Sequence, residues 1–305
     1  MSAARILAGL GALIAILLLI AWPGALGGWR AAFLALGSVP AGAVMLLLIA
    51  RVVGADWDGA LLPLAGRVWL LLPAFVPLVI EQAITPLPDH LHLWLSWPLF
   101  ALRGAIAIAF WWWMARLLAR GRPGVLGAGL ALVAHGVIDT IVGTDWLLGT
   151  SPGQPESAVA MVMAAMQLVA ATGAACLLCV GSERLRRDLS FLLIAGALAL
   201  PYLLFMDFLI VWYGDLPSRI GWYVTRNLAP WVVVPATALI LGLFLPIAAI
   251  ALIRSGRARS FAGGSALAAL MMVALWQEGP GGGWAAVGVA IAALLLVTPL
   301  AWRRA

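Results

Sequence analysis

Ten apolar stretches, each long enough to cross a bilayer, follow one another with only short gaps between them. They cover residues 6–22, 31–53, 66–84, 96–117, 124–144, 157–181, 190–213, 228–253, 261–277 and 283–302. A chain patterned this way folds inside lipid, where every backbone polar group must be satisfied internally, so helices are the expected solution. Charged residues make up 10% of the 305 residues, against about 25% in a soluble domain. The expectation is an all-α, multi-pass membrane protein formed as a single integral membrane domain over residues 1–305, with helical bundles near 31–144 and 157–277. The first stretch has the look of a signal peptide but lacks a small-residue cleavage site, and it reads as a retained helix.

The basic residues are all arginines, and their placement gives an orientation. Arg5, Arg51, Arg67, Arg116, Arg120, Arg122, Arg184, Arg186, Arg187, Arg254, Arg257, Arg259, Arg303 and Arg304 fall on one side. Arg30, Arg219 and Arg226 fall on the other, and Arg103 lies within a span. A net charge of +6 would suit nucleic acid if it were clustered, but here it sits in short turns, so a nucleic-acid partner is not expected. By the positive-inside rule both termini are cytoplasmic, and the loop that follows Trp212 and Tyr213 faces outward.

That loop follows the most informative stretch of the chain. Asp207 stands in an otherwise apolar helix, six residues before Tyr213, or about 9 Å deeper at helical rise. Trp212 and Tyr213 have the amphipathic rings that settle at a membrane interface. An acid at such depth is costly unless it is paired or protonated, and by default it marks a functional site. Glu81, Arg103, His135 and Asp139 fall at comparable depth on the outer side. His135 and Asp139 are spaced i, i+4 and share a helix face. Together these five residues suggest a polar pocket that handles protons or a ligand near the outer face. The alternative is that a neighbouring helix satisfies each of them and they only hold the bundle together.

Other signals point elsewhere. Cys176 and Cys179 have CxxC spacing inside an apolar span, where packing is the expected role. With His90, His92 and His135 the only histidines, and no CxxCH, neither a haem nor a metal site is expected. Trp111, Trp112 and Trp113 cover every face of their helix and read as an anchor at the inner interface. No catalytic constellation is evident.

The segment Tyr202–Pro217, followed by Trp222, Tyr223 and Arg226, resembles the outer loop of the ActF-type subunit of alternative complex III, a bacterial quinol oxidoreductase. In that family a helix ends in Trp-Tyr. A small residue, Leu/Ile-Pro, an acidic pair, Trp-Tyr and Arg then follow. A second segment, Asp145-Trp146-Leu147-Leu148-Gly149-Thr150-Ser151-Pro152, resembles the family's Asp-Trp-x-Met-Ser-Leu-x-Pro in the corresponding place. The chain departs from the pattern in several ways. Ser218 and Arg219 replace the acidic pair, Asp207 replaces a polar uncharged residue, a His-Trp-x-Ser-Thr run is missing, and the chain is shorter. The resemblance implies an NrfD-like membrane subunit with two four-helix bundles and peripheral helices, set in a bacterial cytoplasmic membrane. It implies no bound redox cofactor, contact with quinol or quinone, and a role in proton movement. The implied partners are lipid, iron–sulfur and multi-haem proteins and a sister NrfD-like subunit. A secondary transporter with an outer-facing polar site, or a structural or assembly subunit, is the alternative function.

Overall fold

The computed structural model describes residues 23–85, 93–148, 158–178, 182–253 and 255–302, together with isolated positions before residue 23. Among them every regular element is helical. We label the helices α1 (Leu26–Val53), α2 (Asp58–Ala65), α3 (Leu71–Ile84), α4 (Trp97–Leu118), α5 (Val125–Gly143) and α6 (Val159–Leu178). They continue as α7 (Glu183–Tyr213), α8 (Pro217–Asn227), α9 (Val233–Ile253), α10 (Gly256–Glu278) and α11 (Gly283–Trp302). Eight stretches among the described residues are long and apolar enough to cross a membrane: α1, α2 with α3, α4, α5 with its last turn, α6, α7, α9 and α10. The apolar helix α11 follows them. The expected first span, 6–22, lies almost wholly outside the described residues.

Several boundaries differ from the expected ones for local reasons. The spans expected to start at 190 and 261 begin at Glu183 and Gly256. Ser182 and Ser255 accept hydrogen bonds from the amides of Leu185 and Ala258, at 3.3 and 3.1 Å, and so start each helix earlier. The basic residues at 184, 186, 187, 257 and 259 therefore belong to the helices rather than to loops. Arg186 and Arg259 both pair with Glu183. The span expected from 66 begins at Asp58, breaks at Gly66–Arg67 and resumes through a 3-10 turn. Pro73 then falls in the first turn of α3, where a missing N–H costs nothing. Helix α9 carries π-helical turns at Ile240–Phe244 and Ala249–Ile253, on either side of Pro246. Widened turns of this kind accommodate a proline inside a helix and often mark functional positions.

One helix organises the rest. Helix α1 packs along α6, α10, α11, α2 and α5. Of its most apolar window, 78% is buried inside the protein, against 22% for α9 at the periphery. Because α1 and α6 are among the most closely packed pair, the stretches 31–144 and 157–277 share one core, which runs from Ala31 to Ala293. Close approach depends on small residues, as in other helix pairs in lipid. A Cβ at Gly42 would overlap the backbone carbonyl of Gln167, and one at Gly28 would overlap that of Ala286.

Candidate functional site

The ionisable residues expected to share one pocket divide into separate networks. The innermost joins three helices. His135 and Asp139 do share a face of α5, with Nε2 of the imidazole 3.3 Å from Oδ2 of the carboxylate. Gln167 of α6 bridges them. Its Oε1 lies 2.7 Å from His135 Nε2, and its Nε2 donates to Asp139 Oδ1 at 2.8 Å. On the other side of the ring, the indole N–H of Trp111 donates to His135 Nδ1 at 3.1 Å. All four side chains are buried. Trp111 therefore does not serve as an interface anchor, while Trp112 and Trp113 on the same helix are exposed. The anchor expectation failed at Trp111 because three consecutive residues on a helix point three ways, and one of them had to face the bundle.

The second network joins the N-terminal end of α4 to the C-terminal end of α5. Arg103 donates from Nε and Nη2 to Asp145 at 2.7 and 2.9 Å, and from Nη2 to the Trp94 carbonyl at 2.7 Å. The Trp94 indole donates to the same carboxylate at 2.9 Å, and the guanidinium lies over its ring at 4.3 Å. Asp145 and Trp146 sit in a π-helical turn, Thr144–Leu148. The wider turn lets both consecutive side chains point inward. Asp145 meets Arg103, while Trp146 packs edge-on against Phe33 at 5.0 Å and near Trp111 at 6.2 Å.

A third network was not expected. Arg30, counted only as an outer-side charge, makes a two-point contact with Glu278 at 2.8 and 2.6 Å and lies 3.3 Å from Glu81. Glu81 is thus drawn to α1 and α10 and away from His135. Asp207 is buried on α7, one turn inside Val211, and Val211 packs with Trp222 and Tyr223. The histidines at 90 and 92 and the cysteine at 179 lie outside the described residues. Cys176 is buried, with Sγ 3.9 Å from Ser190 Oγ.

The motif carries a helix of its own, α8, where an exit loop was expected. Its two Trp-Tyr pairs are not equivalent. Trp212 and Tyr213 are exposed, whereas Trp222 and Tyr223 are buried. Trp222 stands edge-on to Trp276 at 5.1 Å, and Arg226 lies over the Trp222 ring at 4.0 Å. The Arg226 guanidinium donates to the carbonyls of Trp276 and Gln277 at 3.1 and 3.0 Å, which places a cation on the C-terminal end of α10. Burial pushes this guanidinium down to about 10 and nearby Glu278 pulls it up, so it stays charged near neutral pH.

Gly279 makes the approach possible. Its φ of 79° and ψ of −174° are open essentially to glycine alone, and a Cβ there would lie 2.9 Å from Arg226 Cζ. Gly279→Ala is expected to cost about 1–3 kcal/mol. Arg226→Met should cost a similar amount, and the double variant less than the sum, as measured by thermal unfolding in detergent.

Beside this cap runs a cleft of about 590 Å³ between α7, α9 and α10. Its walls are apolar, including Pro201, Phe205, Phe208 and Leu239. Tyr223, Asn227 and Trp276 line it as well and bring the polar groups. Compared with known proteins, the chain matches no family model and no curated sequence.

Proposed function

We propose that this chain is an integral membrane subunit of a bacterial respiratory complex that oxidises quinol, set in the cytoplasmic membrane with both termini inside. One observation carries the reading. Tyr223, within the segment that resembles the ActF-type outer loop, also lines the apolar cleft of about 590 Å³ beside Asn227 and Trp276. A quinol has an isoprenoid tail that suits apolar walls and a head with two hydroxyls that suits Tyr and Asn at one end. Electrons leave through iron–sulfur and multi-haem partners, and a sister subunit completes the membrane part. The buried Asp139, held by Gln167 and His135, is the group best suited to hold a proton released near the outer face.

Purification from native membranes with a photo-reactive quinone tests both halves of this reading. Co-purified haem and iron–sulfur proteins, with label on α7 or α10 that Leu239→Trp suppresses, are the expected results. A lone chain that takes up no quinone label would sink the proposal. A second reading, a purely structural subunit, draws on the engagement of Arg103, Asp145 and Arg226 with protein groups. It is favoured if partners co-purify while the cleft takes no quinone.

The orientation has its own test. In a background with Cys176 and Cys179 replaced by Ser, Asp215→Cys should react with an impermeant thiol reagent from outside. Arg257→Cys should react only after the membrane is opened. The reverse pattern would overturn the orientation.

A further inference from the structure

We infer that Trp111 is a positioning residue that holds His135 in its Nε2–H tautomer and thereby directs a proton-holding chain that ends at Asp139. The inference does not depend on quinol contact. An indole N–H can only donate a hydrogen bond. At 3.1 Å from His135 Nδ1, it requires that nitrogen to be the acceptor. A neutral imidazole with an accepting Nδ1 carries its proton on Nε2.

The other directions follow from that one donor. Nε2–H faces Gln167 Oε1 at 2.7 Å, so the amide oxygen accepts. The amide nitrogen then faces Asp139 Oδ1 at 2.8 Å and donates. Reversing the amide would set donor against donor at the histidine and acceptor against acceptor at the carboxylate, so one orientation satisfies the chain. Asp139 Oδ2 is buried and lies 3.3 Å from His135 Nε2. Asp139 is the charged side chain that faces His135.

The chain therefore has one place for an added proton. His135 can accept one only at Nδ1, which would turn that nitrogen into a donor facing the Trp111 N–H. Asp139 Oδ2 can accept one with every bond of the chain kept. An added proton thus leaves the chain intact on the acid and breaks it on the histidine, while the bridging amide holds the acid in place.

The test uses full-length protein in lipid nanodiscs with His90→Gln and His92→Gln, leaving His135 as the only histidine. With ¹⁵N-labelled histidine, the expected spectrum shows one neutral tautomer, protonated at Nε2, and a coupling across the hydrogen bond to the Trp111 indole nitrogen. Trp111→Phe should lose that single pattern, giving mixed tautomers or a doubly protonated ring. Asp139→Asn should keep it. Stepwise acidification should give an infrared carboxylic-acid band that Asp139→Asn removes, with the His135 tautomer unchanged. An Nδ1–H tautomer in the parent protein, or a doubly protonated His135 formed with the Trp111 bond intact, would overturn the inference. So would an Nε2–H pattern that persists in Trp111→Phe. Should that variant fail to fold, the cross-bond coupling and the acidification result in the parent protein decide the matter alone.

Discussion

Asp145→Ala is expected to destabilise the protein by about 3–5 kcal/mol, the usual result of leaving one member of a buried ion pair behind. The Asp145 side chain is fully buried and that of Arg103 is 15% exposed. Truncation leaves the guanidinium with the Trp94 carbonyl as its remaining acceptor in this network, and leaves the Trp94 indole N–H without one. Both then sit at the N-terminal end of α4 without the lost oxygens. The double variant Arg103→Leu with Asp145→Leu removes both charges and should recover much of the loss, because an absent pair costs less than a broken one. Thermal unfolding of the two variants in the same detergent separates these outcomes. Equal destabilisation of both would mean that the shape of the Thr144–Leu148 turn matters and the ion pair does not.

Arg30→Met should do at least as much damage. Arg30 is the cation between two acids, Glu278 with an 8% exposed side chain and Glu81 with 18%. Removing it leaves two partly buried carboxylates with neither their partner nor enough solvent. A loss of about 3–5 kcal/mol is again the scale, now with two orphaned groups. Arg30→Lys should not restore the parent stability, since an ammonium lacks the planar fork that meets Glu278 at two points. Glu278→Gln in the Arg30→Met background should recover part of the loss by removing one of the two like charges. Folded yield after extraction, together with the unfolding midpoint, measures all three. Full stability of Arg30→Met would show that the network contributes nothing.

The sequence displayed the helices more clearly than their partners. Apolar runs mark the spans because lipid demands them, and the i, i+4 spacing of His135 and Asp139 is legible because both lie on one helix. Gln167 and Trp111 carry no such mark. They meet His135 only because α6 and α4 pack beside α5 in one register, and no local pattern encodes that register. Arg30 counted only as an outer-side charge for the same reason, its partner Glu278 lying 248 residues away in the chain. The short helix α8 was hidden by Pro217, which reads as a loop signal yet also suits a first helical turn. Ser182 and Ser255 were legible as caps in principle, because each precedes a helical run and is followed by an amide that it can bind.

The central position of α1 has a consequence for how the protein is made. The helix most enclosed by the others belongs to the beginning of the chain, so it leaves the ribosome well before most of the helices that will enclose it. At synthesis rates of about 5–20 residues per second, Glu278 follows Arg30 by on the order of 10–50 seconds. During that interval the arginine is without its final partner. Glu81 emerges much sooner and is already within 3.3 Å of Arg30 in the finished protein. It can hold the early hairpin of α1 and α3 together until α10 arrives. A chain interrupted before residue 278 would then be an insertion intermediate with its central helix still facing lipid.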